Sequence, residues 1–88
     1  MPASSFNTGQ VSVLGTATLI VAQNTGRHAV LITNTGTIAI YIGIDATVTA
    51  STGQLLPGVV GASISIPSKS AVYGISASTA ETVTFLDV

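Results

Sequence analysis

The sequence predicts an all-β fold: a single small antiparallel β-sandwich or barrel of about seven strands. Three observations carry that expectation. Short runs rich in Val, Ile and Thr recur along the chain, and these residues suit a pleated, half-buried surface. Between the runs stand turn triplets, Asn-Thr-Gly at Asn7–Gly9, Asn24–Gly26 and Asn34–Gly36, with Ser51-Thr52-Gly53 a near copy; Asn and Gly accept the backbone conformations that reverse a chain. No stretch keeps an apolar stripe at helical spacing for three turns, so no long helix is expected.

In chain order, strands are expected at Gln10–Leu14, Ala17–Ala22, His28–Thr33, Ile38–Gly43, Ala62–Ile66, Ala71–Ala77 and Thr82–Asp87. Several alternate with the period of two that buries one face. Ile38, Ile40 and Ile42 oppose Ala39 and Tyr41; Ile64 and Ile66 oppose Ser63 and Ser65; Val83 and Phe85 oppose Thr82 and Thr84. Two hairpins are expected, His28–Thr33 with Ile38–Gly43 and Ala71–Ala77 with Thr82–Asp87, each around a short polar turn. The segment Ala50–Gly61 breaks the rhythm, combining Gly53, Pro57, Gly58 and Gly61 with Leu55, Leu56, Val59 and Val60. So apolar a loop is expected to fold back over the sandwich or to be covered by a neighbour. Residues 1–9 form an N-terminal arm, small and polar apart from Phe6, and residues 10–88 form the β domain. The candidate interface residues are therefore Phe6, Leu55, Leu56, Val59 and Val60.

Charge is scarce. Arg27, Asp45, Lys69, Glu81 and Asp87 are the only ionised side chains among 88 residues, while 47% of the chain is hydrophobic. Soluble surfaces usually carry roughly a quarter to a third charged residues, so this chain is expected to live against other protein. Two basic residues are too few to neutralise a run of phosphates, so no nucleic-acid partner is expected. The longest apolar run, Ile38 to Ile44, is far too short to span a bilayer, and no membrane association is expected. The N-terminal residues lack the basic and apolar parts of a signal peptide, which predicts synthesis in the cytoplasm.

The residues also argue against catalysis. With no Cys, one His (His28) and three scattered acids, the chain has few groups for general acid–base work and no set of ligands for a metal. No nucleophile-elbow motif or phosphate-cradling loop is present. No catalytic residue, metal or cofactor is expected, and the protein is expected not to be an enzyme. Lys69 in Ser68-Lys69-Ser70 is read as a solvated turn tip. Tyr41 and Tyr73 are read as strand residues with their hydroxyls at the rim; exposed together they would offer a stacking platform for a sugar.

Three stretches carry a resemblance: Leu31-Ile32-Thr33-Asn34-Thr35-Gly36-Thr37 followed by Ile40-Tyr41-Ile42-Gly43, Val72-Tyr73-Gly74-Ile75-Ser76-Ala77-Ser78, and Val83-Thr84-Phe85-Leu86-Asp87-Val88. Over about Gln10 to Val88 the pattern resembles small virion proteins of tailed bacteriophages, of the head decoration or cement type. That resemblance implies a non-enzymatic β-rich subunit on the capsid exterior, stabilising the shell, with the major capsid protein as partner. A homo-oligomer is expected, a trimer ahead of a dimer, because closed symmetry covers strand edges and suits an icosahedral shell. The alternatives are a phage tail, baseplate or fibre component, and a carbohydrate-binding adhesion module.

Overall fold

The computed structural model describes residues 7–88 and is built from strands and turns alone. Eight strands follow in order: β1 (Asn7–Val13), β2 (Thr18–Val21), β3 (Val30–Asn34), β4 (Ile40–Gly43), β5 (Gln54–Leu56), β6 (Ser63–Ile66), β7 (Val72–Ser76) and β8 (Glu81–Asp87). They form two four-stranded antiparallel sheets, ordered β1-β8-β3-β6 and β2-β7-β4-β5. This is the double-sheet jelly-roll arrangement. The all-β sandwich expected from the sequence is the observed fold, as a sandwich and not a closed barrel, with eight strands where about seven were expected.

The added strand is β5, inside the segment read as a loop. Gln54-Leu55-Leu56 is three residues long and ends at Pro57, too brief for alternation to reveal. The two expected hairpins are also corrected. β3 pairs with β6 and β8, whereas β4 lies in the other sheet against β5 and β7. β7 and β8 likewise sit in different sheets. A short turn serves equally for a hairpin and for a corner between sheets. Here the apolar faces of successive strands bury most surface by facing each other across the sandwich. The start of the domain moves as well: Asn7–Gly9, read as the end of an arm, is paired strand, with Asn7 opposite Asp87 and Gly9 opposite Phe85. Phe6 and the residues before it lie outside the described residues.

Alternation places the core. Ten residues fill it: Val13, Ile20, Val21, Val30, Ile32, Ile40, Ile42, Leu56, Val72 and Val83. Ile20 and Val21 are neighbours, yet both are buried, because β2 slips register against β7 between Leu19 and Val21. Such a bulge turns one extra side chain inward. Gly74 leaves the room, since a Cβ there would stand 2.7 Å from Ile20 Cδ1.

Candidate interaction surface

The few charges of this chain mostly face inward. Arg27, Glu81 and Asp87 are buried, leaving Asp45 and Lys69 as the ionised side chains exposed on an accessible surface of 4695 Å². Burying a charge is costly unless it is paired or hydrogen-bonded; Arg27 is both, and Glu81 is hydrogen-bonded to backbone. At one end, Asn24 makes the turn that delivers Arg27. Its side-chain oxygen accepts from Gly26 N at 3.0 Å, and its carbonyl accepts from Arg27 N at 3.1 Å. The guanidinium then donates to Ser68 O at 2.9 Å, to Ala22 O at 3.1 Å and to Ser70 O, with Asp87 Oδ2 3.7 Å from Nη1. One side chain thus ties the end of β2, the β6–β7 loop and β8. Lys69, read from the sequence as a solvated tip, donates to the carbonyl of Arg27 at 2.9 Å and closes the same clip.

At the opposite end, Asn34 is fully buried where β3 hands the chain to the other sheet. Its Nδ2 donates to Ile38 O at 2.8 Å and Pro57 O at 3.1 Å, and its Oδ1 accepts from Gly36 N at 2.9 Å. The Glu81 carboxylate accepts from Ile38 N at 3.1 Å. It lies so close to Gly36 that any Cβ there would overlap it.

The broad faces are left without charge. On the β1-β8-β3-β6 sheet the register aligns Thr8, Gln10 and Ser12 with Leu86, Thr84 and Thr82, and then Leu31 and Thr33 with Ser65 and Ser63. This outer face is a lattice of hydroxyls interrupted by Gln10 and two leucines. On the β2-β7-β4-β5 sheet, Leu19 stands opposite Tyr73, and Ile75 and Leu55 flank Tyr41 on its two neighbouring strands. Leu19 and Leu55 are 44% and 47% exposed, and Tyr41, Tyr73 and Ile75 are half-buried. The β4–β5 connection folds back over part of this face: Val48 is buried in the notch left by Gly43, where a Cβ would lie 2.5 Å from it.

The candidate interface residues divide accordingly. Leu55 lies on the apolar face. Val59 and Val60 are 62% and 66% exposed on a turn closed by Ala62 N donating to Val59 O at 2.9 Å. Gly61 carries that turn at φ +93°, a conformation side chains avoid. Leu56 is corrected: it is 1% exposed and packs in the core, because it follows Leu55 in a strand and must point to the opposite face. Leu19 and Ile75, which complete the apolar patch, were not singled out from the sequence; alternation within their strands placed them outward, but only the strand order makes them neighbours of the tyrosines. Tyr41 and Tyr73 share one face but are diagonal, since Tyr41 is opposite Ile75 and Tyr73 opposite Gly43. Exposed Asp45 accepts from the hydroxyl and backbone N–H of Thr47, and those bonds hold its carboxyl below its ordinary 3.8. Among the described residues no group of three or more His, Asp or Glu could hold a metal ion.

No protein-family model and no curated protein matches the chain. Among solved structures it is similar to a subunit from Bacillus endospore appendages, described as a novel family of disulfide-linked pili, at 20% identity and a TM-score of 0.52. The match covers 96% of this chain and 85% of that one. At that identity the likeness is one of fold, and this chain has no Cys with which to form a disulfide.

Proposed function

We propose that this chain is a non-catalytic structural subunit that coats a larger protein assembly, with the exterior of a tailed-phage capsid as that assembly and its major capsid protein as the partner. The observation that carries this reading is the placement of charge. Three of the five ionised side chains are spent inside the sandwich, and the outer faces of both sheets carry none. A face holding Leu19, Tyr73, Ile75, Tyr41 and Leu55 gains free energy when covered, at about 25 cal/mol per Å² of apolar area before the costs of association. The jelly-roll arrangement occurs in viral coat and lectin domains alike, so fold by itself assigns no role; the argument rests on the surface.

The test is imaging of purified particles carrying a labelled copy of the chain. Label on the head at regular sites is expected, together with heat resistance that falls when the protein is absent. Label confined to the tail, or particles that ignore the protein, would overturn the capsid reading. A second reading is a subunit of a self-assembled appendage, and the fold likeness to the endospore pilus subunit favours it. Filaments grown from the purified chain alone would select that reading.

A further inference from the structure

Each sheet of the sandwich has two edges, and the four edge strands are unequal. β2 is broken by its register slip, β5 is three residues long and runs into Pro57, and β6 is four residues long and runs into Pro67. Short strands, bulges and prolines are the devices that blunt an edge. β1 has none of them. It pairs with β8 over all seven residues without a slip, and it contains neither charge nor proline.

We infer that β1 is a docking edge for β1 of a second copy, forming a two-fold dimer with one continuous eight-stranded sheet. This rests on the reading of the chain as a structural subunit and names its first partner. Two observations favour a second copy over another occupant. An edge-to-edge contact between unlike strands needs a second serviceable edge, and the described residues offer only β1; pairing β1 with itself uses that edge twice and closes. The chemistry of β1 also matches its own edge. The incoming strand must present small apolar residues to the core side, where Val11 and Phe85 are only partly buried, and polar residues to the hydroxyl face. β1 alternates in that way, with Gly9, Val11 and Val13 inward and Thr8, Gln10 and Ser12 outward.

Full antiparallel overlap sets Gln10 opposite Gln10, Thr8 opposite Ser12 and Gly9 opposite Val11. A slip of one residue would turn the apolar side outward, so the register is constrained. In this register Val11 of the second copy lies across from Gly9. The Phe85 ring packs over that glycine, where a Cβ would stand 2.7 Å from it, and being only partly buried it is placed to meet the incoming Val11. A single serviceable edge pairs once, which favours two copies over the threefold assembly expected from the sequence.

The test uses the full chain in native mass spectrometry and sedimentation. The unaltered chain is expected as two copies. Gln10→Lys and Gln10→Glu each place like charges directly opposite one another and are expected to raise the dissociation constant roughly tenfold, while an equimolar mixture of the two restores pairing. Thr33→Lys, on the same outer face but away from the edge, is expected to leave pairing intact. A single copy at every concentration, a Gln10→Lys chain that pairs normally, or a mixture that fails to recover would overturn the inference. So would pairing lost on removal of Met1–Phe6 but indifferent to Gln10→Lys, which would assign the edge to that segment. Particle binding is scored separately. A chain that coats particles as a single copy overturns the edge pairing and leaves the proposed function standing. A dimer that binds no particle supports the pairing and overturns the capsid role.

Discussion

The two ends of the sandwich and its two broad faces solve opposite problems. One end holds Arg27 and Asp87 and the other Asn34 and Glu81, all buried. Arg27, Asn34 and Glu81 are bound to backbone groups at strand ends and in loops, and Asp87 lies 3.7 Å from Arg27. The faces hold hydroxyls on one sheet and leucine, isoleucine and tyrosine on the other, with no ionised group on either. Ionic and amide groups are used where the chain crosses between sheets and backbone polar groups would otherwise be stranded. Uncharged side chains are used on the broad faces, where covering them would cost little desolvation. The contrast teaches that a low charge count is more telling once the location of each charge is known. Five charges over 88 residues is sparse; two at the surface is sparser still.

Breaking the ends should unfold the protein, and altering the faces should not. The largest effect is expected from Arg27→Ala, which leaves the buried Asp87 carboxylate without its opposite charge and three carbonyls without their donor. A loss of about 3–5 kcal/mol is expected, read as a fall in the urea midpoint. Leu56→Ala follows at roughly 2–5 kcal/mol, the cost of a core cavity, and Leu56→Asp is expected to abolish folding instead of selectively weakening assembly. Asn34→Ala strands two carbonyls and one N–H and is expected to cost about 1–3 kcal/mol in the same assay. Val60→Asp, on the exposed turn, should change folding stability by less than about 0.5 kcal/mol while reducing attachment to particles. Equal loss of stability in Val60→Asp and Asn34→Ala would erase the distinction between ends and surface.

The smallest effect is expected from pH. Thr47 donates to the Asp45 carboxylate and depresses its titration below the ordinary 3.8. The folded form therefore binds that proton less readily than the unfolded chain. The stabilisation is present above the unfolded value and is lost as pH falls through the folded one. Asp45→Asn is expected to flatten only the acid limb below about pH 4 of a stability–pH curve, with no change near neutrality.

Much of the fold was legible because alternation is local. Ile40 and Ile42, Val83 and Phe85, and Ile64 and Ile66 each declared a strand with an inner face. β5 was not legible: Gln54-Leu55-Leu56 is too short to show a period, and two adjacent leucines conceal that one faces the core and the other the solvent side. Arg27 was not legible as a clip either, since an arginine beside a turn is ordinarily solvated. Its burial depends on Ser68, Ser70 and Asp87, which lie at least 41 residues away. The apolar patch is half visible in the sequence: Tyr41, Tyr73 and Leu55 stand out by residue type, while Leu19 and Ile75 join them only through the strand order.

The sequence by itself determined the β class, the inward and outward residues of the longer strands, and a surface almost devoid of charge, because these follow from composition and from a period of two along the backbone. The tertiary structure alone decided which strands became neighbours. It sent β3 and β4 into opposite sheets, buried three of the five charges, and left β1 as the one long, unblunted edge. The physical reason is that strand partnership is settled by how two apolar faces close over each other, a sum over residues distant in the chain that no local pattern encodes.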